Sequence, residues 1–237
     1  DDITNINKLP GSIYHSVSFF EAISHIENSK KEIVLVSIPC HLEGITKYFI
    51  KKDKKLLDKI ILKVGIICGW SYTNLSYKNF CASTNIDSEK VKDISYRGQN
   101  KIEYLELSCE EDTYSFDRRN FNSPHEELRY RSSFSSDMNR SRCLQCQNHL
   151  NVQSDISIGD AWLKRLGSKK ESIILSRTIQ GAEFLKKVVS NFSNNLESGT
   201  IKDIYESQGE DLIEGHRAEV FRSLDKLLNK NYVTYNF

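Results

Sequence analysis

The stretch KEIVLVSIPC (Lys31–Cys40) decides the fold that we expect for this chain. It is a continuous apolar run rich in β-branched residues, which is typical of a buried strand in a parallel sheet. The stretch that follows, HLEGITKYFIKKDKKLLDK, is amphipathic and gathers lysines toward its end, as the carboxyl terminus of a helix prefers. A buried strand that passes directly into a helix predicts an α/β arrangement.

Similar patterns lie on both sides of this stretch. A helix is predicted before it in SVSFFEAISHIENSKK, and a second buried strand after it ends at Cys68 in VGIIC. Further along the chain, short strands are predicted in SDISIGDAW and SIILSRT, followed by an amphipathic helix in QGAEFLKKVVSNF. This alternation of helices and strands predicts one sheet with crossover connections.

The middle of the chain shows a different pattern. A helix, a turn and a strand are predicted in SYKNFCASTNIDSEKVKDISYRG, and KIEYLELSCEEDTYSF predicts two edge strands with a turn at 110–112. The segment 117–142 is long and polar, which predicts a functional or disordered loop. Near the end, EDLIEGHRAEVFRSLDKLLNKN predicts one or two helices.

Together these patterns predict the fold class and the domains. We expect an α/β fold with a mixed or mostly parallel sheet, flanking helices, a long loop that carries a Cys-x-x-Cys sequence, and a helical carboxyl terminus. Residues 1–190 are predicted to form the α/β domain, and residues 191–237 a helical extension.

Composition limits the function classes. The 237 residues carry 33 basic and 32 acidic side chains, a formal net charge of +1, which predicts no nucleic-acid partner. No apolar run approaches the roughly 20 residues that span a bilayer, so no membrane insertion is expected. The polar amino terminus contains no signal-peptide pattern, and we therefore expect a cytoplasmic protein.

The six cysteines provide the strongest chemical signal. Cys143 and Cys146 form a Cys-x-x-Cys pair, which can hold zinc, hold an iron–sulfur cluster, form a redox disulfide or remain as two thiols. Cys40 and Cys68 each end a predicted buried strand, where ligands gather in open α/β sheets. If the two strands are neighbours, a loop that carries the pair can complete a cage of four thiolates.

Four thiolates fit either Zn²⁺ or a [4Fe–4S] cluster. Structural zinc sites usually use two short paired motifs, whereas only one pair is close in this sequence, which favours the cluster. Cys81 and Cys109 lie on a predicted helix and a predicted edge strand. We interpret both as small apolar side chains without a ligand role.

Several separated motifs resemble one family. In order along the chain they are SIPCHLEGITKYF, VGIICG, RCLQCQNHLNVQSDISIGDAW and ILSRTIQGAEFLKK. Together they resemble the carboxyl-terminal domain of the β subunits of coenzyme F420 hydrogenases and dehydrogenases, which are iron–sulfur flavoproteins. The resemblance implies FAD, a [4Fe–4S] cluster and the ligands Cys40, Cys68, Cys143 and Cys146. Family members often begin with a ferredoxin-like segment and a Gly-rich flavin-binding stretch, and neither is found in this sequence.

The resemblance also implies residues for a flavin site. Gly159 and Asp160 follow a short predicted strand, where the backbone can approach a ligand closely, and Ser157 is a candidate donor. The alternative is an ordinary Gly-Asp turn at the end of a strand. Arg177 suits a pyrophosphate because its planar guanidinium binds two oxygens, although a surface ion pair is the alternative.

The functional hypothesis is an oxidoreductase domain that transfers electrons between a [4Fe–4S] cluster and FAD. We expect a redox partner protein or subunit, together with a small-molecule electron acceptor, for which the deazaflavin coenzyme F420 is a candidate. The alternative is a non-enzymatic interaction module that a Zn(Cys)₄ site stabilises.

Overall fold

A computed structural model describes residues 12–97, 104–118, 120–167, 171–192, 197–215, 219–220 and 223. Contacts divide the chain into two compact units. We call residues 1–17 and 70–144 the three-strand unit, and residues 18–69 and 145–237 the four-strand unit. Both units are therefore built from separate segments of the chain.

The described elements have the following bounds. The helices are α1 (Phe20–Asn28), α2 (Pro39–Lys52), α3 (Asn74–Ser83), α4 (Pro124–Ser133), α5 (Ser141–Leu144), α6 (Ile179–Phe192), α7 (Ile201–Gln208) and α8 (Glu210–Ile213). The strands are β1 (Ile33–Ser37), β2 (Ile60–Ile66), β3 (Asp93–Ser95), β4 (Tyr104–Ser108), β5 (Thr113–Asp117), β6 (Ile156–Asp160) and β7 (Ser172–Ser176).

The four-strand unit contains the sheet that the sequence predicts. Its strand order is β1-β2-β6-β7, with parallel β1–β2 and β2–β6 pairs and an antiparallel β6–β7 pair. The predicted α/β fold class with a mixed, mostly parallel sheet and flanking helices is therefore confirmed. In the β1–β2 register, Ser37 lies opposite Gly65.

Helices α1 and α2 cover this sheet near β1. The core cluster joins side chains from α1, β1, α2 and β2, namely Ile26, Leu35, Leu42, Ile45, Phe49 and Ile60. Phe49 is fully buried, and Lys59 donates hydrogen bonds to the carbonyls of Ile26, Glu27 and Ser29. These contacts fix the end of α1 against the start of β2.

The three-strand unit has a separate aromatic core. Its antiparallel sheet has the order β3-β4-β5, and β4 and β5 are the two strands predicted in KIEYLELSCEEDTYSF. The prediction that both are edge strands is wrong for β4, which pairs on both sides. The buried cluster contains Phe80, Cys81, Ile86, Tyr96, Leu105 and Leu107. Phe80 lies edge-on to Phe116 with ring centroids 4.9 Å apart, a favourable aromatic geometry.

The expectation of a functional or disordered loop over 117–142 is wrong for its central part, which forms helix α4. Ser123 accepts a hydrogen bond from the backbone N–H of Glu126, and Pro124 occupies the first turn. This is a helix start that the sequence displays, Ser-Pro followed by acidic residues. The helix is so polar that it has no amphipathic pattern, and periodicity therefore missed it.

The carboxyl-terminal part of the chain is helical, as the sequence predicts. Residue 190 lies inside α6, and the division into domains 1–190 and 191–237 stays a prediction. Helix α7 lies inside the predicted helical carboxyl terminus, and Thr200 and Asp203 form its capping box. The predicted carboxyl-terminal helices begin with α8, and most of that stretch lies outside the described residues.

No helix in the described ranges is both long enough and apolar enough to cross a membrane.

Candidate metal and cofactor site

Cys40 lies at the start of α2, directly after β1. Pro39 occupies the first turn of this helix, and the Cys40 side chain is exposed. The N-terminus of a 14-residue helix carries a partial positive charge that favours a thiolate. The strand end thus places Cys40 where a metal-binding thiolate is favoured electrostatically.

Cys68 follows β2 in a matching position. Ser37 of β1 pairs with Gly65 of β2, and each predicted ligand comes three residues after its member of this pair. Neighbouring strands lie about 4.8 Å apart, so both cysteines follow the same edge of the sheet. This confirms the premise that the two strands are neighbours.

The Cys-x-x-Cys pair is divided between the units. Cys143 lies in α5 of the three-strand unit, where its sulfur accepts a hydrogen bond from the backbone N–H of Ser71 at 3.3 Å. Cys146 belongs to the four-strand unit and is half-buried. Among the described residues of either unit, no three His, Cys, Asp or Glu side chains are gathered as a metal site. The four-thiolate cage therefore stays a prediction.

Asn151 connects the loop after Cys146 to both strand ends. Its side chain is fully buried, and its amide nitrogen donates to the carbonyl of Ser37 at 2.9 Å and to that of Ile66 at 3.5 Å. A β-carbon on Gly65 would lie 2.5 Å from Asn151 Cγ, so only glycine leaves room for this side chain. Sequence reasoning missed Asn151, because its partner Ser37 is 114 residues away.

His149 binds the segment that carries Cys68. The backbone N–H of Cys68 donates to the carbonyl of His149 at 3.0 Å, and His149 Nδ1 lies 2.8 Å from the carbonyl oxygen of Cys68. Since a carbonyl only accepts, Nδ1 carries the proton in this contact. The two residues thus form a reciprocal pair of hydrogen bonds.

The predicted flavin residues Ser157 and Gly159 face protein neighbours. The Ser157 hydroxyl is fully buried and donates to the carbonyl of Leu150 at 2.7 Å. A β-carbon on Gly159 would lie 2.8 Å from the β-carbon of Ile67, so this glycine permits packing of the chain against itself. Both residues therefore have a structural reason for their identity, and their flavin contacts stay predictions.

Arg177 and Asp160 retain accessible surface. The guanidinium of Arg177 donates to the Ser157 hydroxyl at 3.2 Å and to the carbonyl of Leu150 at 3.0 Å. Burial lowers the pKa of Arg177 from its ordinary value. The backbone carbonyl of Asp160 accepts a hydrogen bond from Gln208 at 2.7 Å. A flavin contact by these two residues also stays a prediction.

Asp155 and Thr178 are two motif residues that sequence reasoning did not select, and they belong to one hydrogen-bond network. The buried carboxylate of Asp155 accepts hydrogen bonds from the backbone N–H of Lys63 at 2.8 Å and from the Thr178 hydroxyl at 2.9 Å. Thr178 in turn accepts from the backbone N–H of Gly181 in the first turn of α6. The Asp-Ile-Ser and Arg-Thr motifs are therefore linked to each other in space.

A comparison with family models shows to which family these motifs belong. The family described as coenzyme F420 hydrogenase/dehydrogenase, beta subunit (C terminus), matches residues 30–202. The matched stretch covers most of the 237 residues and includes all four predicted cysteine ligands. The chain belongs to this family. Hydrogenases and dehydrogenases are oxidoreductases, so membership in the F420 β-subunit family places the chain in a redox context and confirms the resemblance seen in the sequence.

A solved structure supports the fold of this family member. The chain is similar to a chain of the xenon-derivatized F420-reducing [NiFe] hydrogenase complex from Methanosarcina barkeri, with a TM-score of 0.59. The two chains are 13% identical, and the match covers 94% of this chain and 72% of the other. At this identity the likeness shows the fold alone. No curated protein matches the chain.

The remaining cysteines of this β-subunit domain differ from the predicted ligands. Cys81 is fully buried in the aromatic core, and burial raises the pKa of its thiol. Cys109 is half-buried and packs against the same core. Both positions agree with the interpretation of these residues as small apolar side chains.

A cavity of about 250 Å³ lies in the three-strand unit. Its walls include Phe80, Phe116, Phe121 and Tyr130, with Asp117 and Arg129 among its polar side chains. Sites for small molecules usually occupy roughly 300–1,000 Å³, and a dinucleotide such as FAD needs the larger part of that range. The predicted FAD site is therefore not assigned to this cavity.

Proposed function

We propose that the chain is an electron-transfer domain that holds a [4Fe–4S] cluster through Cys40, Cys68, Cys143 and Cys146. The observation that carries the proposal is the matched position of Cys40 and Cys68, each three residues beyond a paired residue on neighbouring parallel strands. Ligand sites of α/β sheets form at this edge. Family membership supports a redox role for the site.

The chemistry of the donor set fits such a cluster. Iron–sulfur clusters are held by cysteine thiolates, and hydrogen bonds to the sulfurs tune their reduction potential. Cys143 already accepts one such bond from the Ser71 backbone, and Cys40 lies at the positive end of α2. When bound, the cluster would supply reversible one-electron transfer, while the protein supplies the thiolates and their surroundings.

The second redox group in the proposal is FAD, with Asp160 and Arg177 as the contact residues to test first. They are chosen because they retain accessible surface, whereas Ser157 is fully buried. A flavin would exchange electron pairs with a small-molecule acceptor, for which coenzyme F420 is the candidate that the family suggests. The proposed electron path also includes a redox partner protein.

Anaerobic purification followed by iron, acid-labile sulfide, zinc and flavin analysis tests this proposal. We expect iron and sulfide in equal amounts with a broad visible absorbance. Cys68→Ser is expected to lose both elements. Cys109→Ser is the matched control and is expected to retain them, because Cys109 packs against the aromatic core of the three-strand unit.

The same measurements decide against the proposal if they give a different composition. Zinc without sulfide in a colourless protein would favour the Zn(Cys)₄ interaction module instead. Equal cluster content in the Cys68→Ser and wild-type proteins would show that the ligand set is wrong, even if a cluster is present.

A further inference from the structure

We propose that Asn151 and His149 are positioning residues, which fix the two strand ends so that the thiols of Cys40 and Cys68 point to one centre. The proposal rests on the proposed function for its purpose, but the contacts that support it are independent of any bound group. All of these contacts lie inside the four-strand unit.

Asn151 acts on both strands at once. Its amide donates to Ser37, the last residue of β1, and reaches the carbonyl of Ile66, the last residue of β2. Cys40 follows Ser37 by three residues, and Cys68 follows Ile66 by two. One buried side chain therefore sets the relative position of the two backbones just before each predicted ligand.

The conformation of Asn151 is itself strongly held. Its φ is 56°, a left-handed value that asparagine tolerates better than most residues. Its carbonyl accepts hydrogen bonds from the hydroxyl of Ser154 at 2.7 Å and from that of Ser157 at 3.3 Å. Arg177 donates to Ser157 in turn, so a polar network holds the residue that joins the strands.

His149 holds the backbone of Cys68 itself through hydrogen bonds. Its side chain is 7% exposed, and its two hydrogen bonds hold both the N–H and the carbonyl of Cys68. With its donor and acceptor both engaged, the Cys68 backbone is held in place, which fixes the position of its β-carbon. Residues that hold a ligand in this way typically change metal affinity by about 10–100-fold when they are substituted.

His149 and Asn151 lie in the same loop as one of the predicted ligands. Residues 149 and 151 follow Cys146 by three and five positions. The loop that supplies one predicted ligand therefore also holds the backbones that precede two others. Since thiolate ligands must converge within a narrow geometry, such a loop would order the site before any metal enters.

The first test measures the metal-free protein. The alkylation rate of Cys68 by iodoacetamide is followed by peptide mass mapping in wild type, Asn151→Ala and His149→Ala. We expect Cys68 to react faster in both variants, whereas Cys109, in the other unit, reacts at an unchanged rate. His149→Asn, which keeps a side-chain donor near the Nδ1 position, is expected to restore the slower rate.

The second test measures the reconstituted protein. We expect Asn151→Ala and His149→Ala to lose iron to a chelator about 10-fold faster or more, with a shifted reduction potential and an altered electron paramagnetic resonance spectrum. Asn148→Ala is the matched control. Its side chain is also buried in the same loop, and its oxygen accepts a hydrogen bond from the backbone N–H of Val152 in that loop. Wild-type spectrum and potential are expected for this control.

The outcomes separate the two proposals. If wild type holds a cluster and the two alanine variants differ from it only in melting temperature, the positioning role is wrong while the proposed function stands. If wild type holds no cluster but Cys68 still reacts faster in the variants, the positioning role stands and the proposed function fails. Where an alanine variant does not fold, Asn151→Asp and His149→Gln, which preserve size, provide the same comparison.

Discussion

Two cysteines illustrate how environment separates residues of the same type. Cys40 is exposed at the positive end of α2, where a thiolate is favoured. Cys81 is 0% exposed in the aromatic core, and burial raises the pKa of its thiol. Because only the thiolate reacts readily, the two positions have opposite chemical characters.

The first prediction concerns this contrast in the metal-free, folded protein. We expect Cys40 to be alkylated by iodoacetamide well before Cys81, because exposure and thiolate character both favour Cys40. Mass mapping of timed samples measures the two rates. In denaturant both thiols should react alike, and a native protein in which Cys81 reacts as fast as Cys40 would contradict the described core.

The second prediction concerns His15 of the three-strand unit. Its ring contacts the Tyr96 hydroxyl and lies edge-on to Tyr77, and burial lowers its pKa from the ordinary value of 6.5. As the pH falls below 6.5, the unfolded chain gains a proton on His15 before the folded chain does. The free energy of unfolding should therefore decrease in this range, and His15 adds no pH dependence above it.

Denaturant titrations from pH 8 to pH 5 measure this effect. His15→Gln is expected to reduce the pH dependence of the unfolding free energy. Leu128→Ala, at an exposed position of α4 without a titratable group, is the control and is expected to retain the wild-type dependence. The burial of His41 lowers its pKa as well, so a part of the dependence should persist in the His15 variant.

At the scale of elements, a neighbouring side chain decides which residue β2 can carry at position 65. Gly65 is buried and leaves the space that Asn151 fills, whereas Gly44 lies on the exposed side of α2 with nothing within 4 Å of an added β-carbon. The same substitution should therefore have opposite effects in the two elements.

The third prediction compares these glycines. Gly65→Ala is expected to lower the free energy of unfolding by about 1–3 kcal/mol, since the added carbon would lie 2.5 Å from Asn151. Gly44→Ala is expected to raise it by about 0.5–1 kcal/mol, because alanine stabilises a helix interior. Urea unfolding measures both changes. Equal effects of the two substitutions would contradict the position given to Asn151.

At the scale of the whole molecule, the chain passes between the two units close to its predicted ligands. One boundary follows Gly69, directly after Cys68, and another separates Cys143 from Cys146. The four predicted ligands are thus divided between the two units in sequence, and their convergence stays a prediction. A group that binds only the folded protein stabilises it by mass action.

The fourth prediction follows from this linkage. Reconstitution with iron and sulfide under anaerobic conditions is expected to raise the melting temperature of the wild-type protein. Cys143→Ser and Cys68→Ser are each expected to lose this increase, because removing a ligand from either unit opens the cage. Scanning calorimetry measures the change. An unaltered increase in Cys143→Ser would show that the three-strand unit supplies no ligand.

Local patterns in the sequence were enough to locate β1 and β2, the helices around them and the cysteines that follow each strand. Each of these elements shows a pattern of apolar residues that are close together in the chain. Such a pattern can therefore be recognised without knowledge of the tertiary structure. The same reasoning missed α4, because a helix that is polar on most sides has no apolar stripe to detect.

The sequence by itself determined the alternation of helices and strands and the family motifs, and it provides the prediction of the thiol donors. Only the tertiary structure decided that Ser37 and Gly65 pair, that Asn151 holds the ends of two strands, and that Ser157 is covered by protein. The physical reason is distance along the chain. Contacts between residues 37 and 151 depend on packing of the whole unit, and no local preference of either residue encodes them.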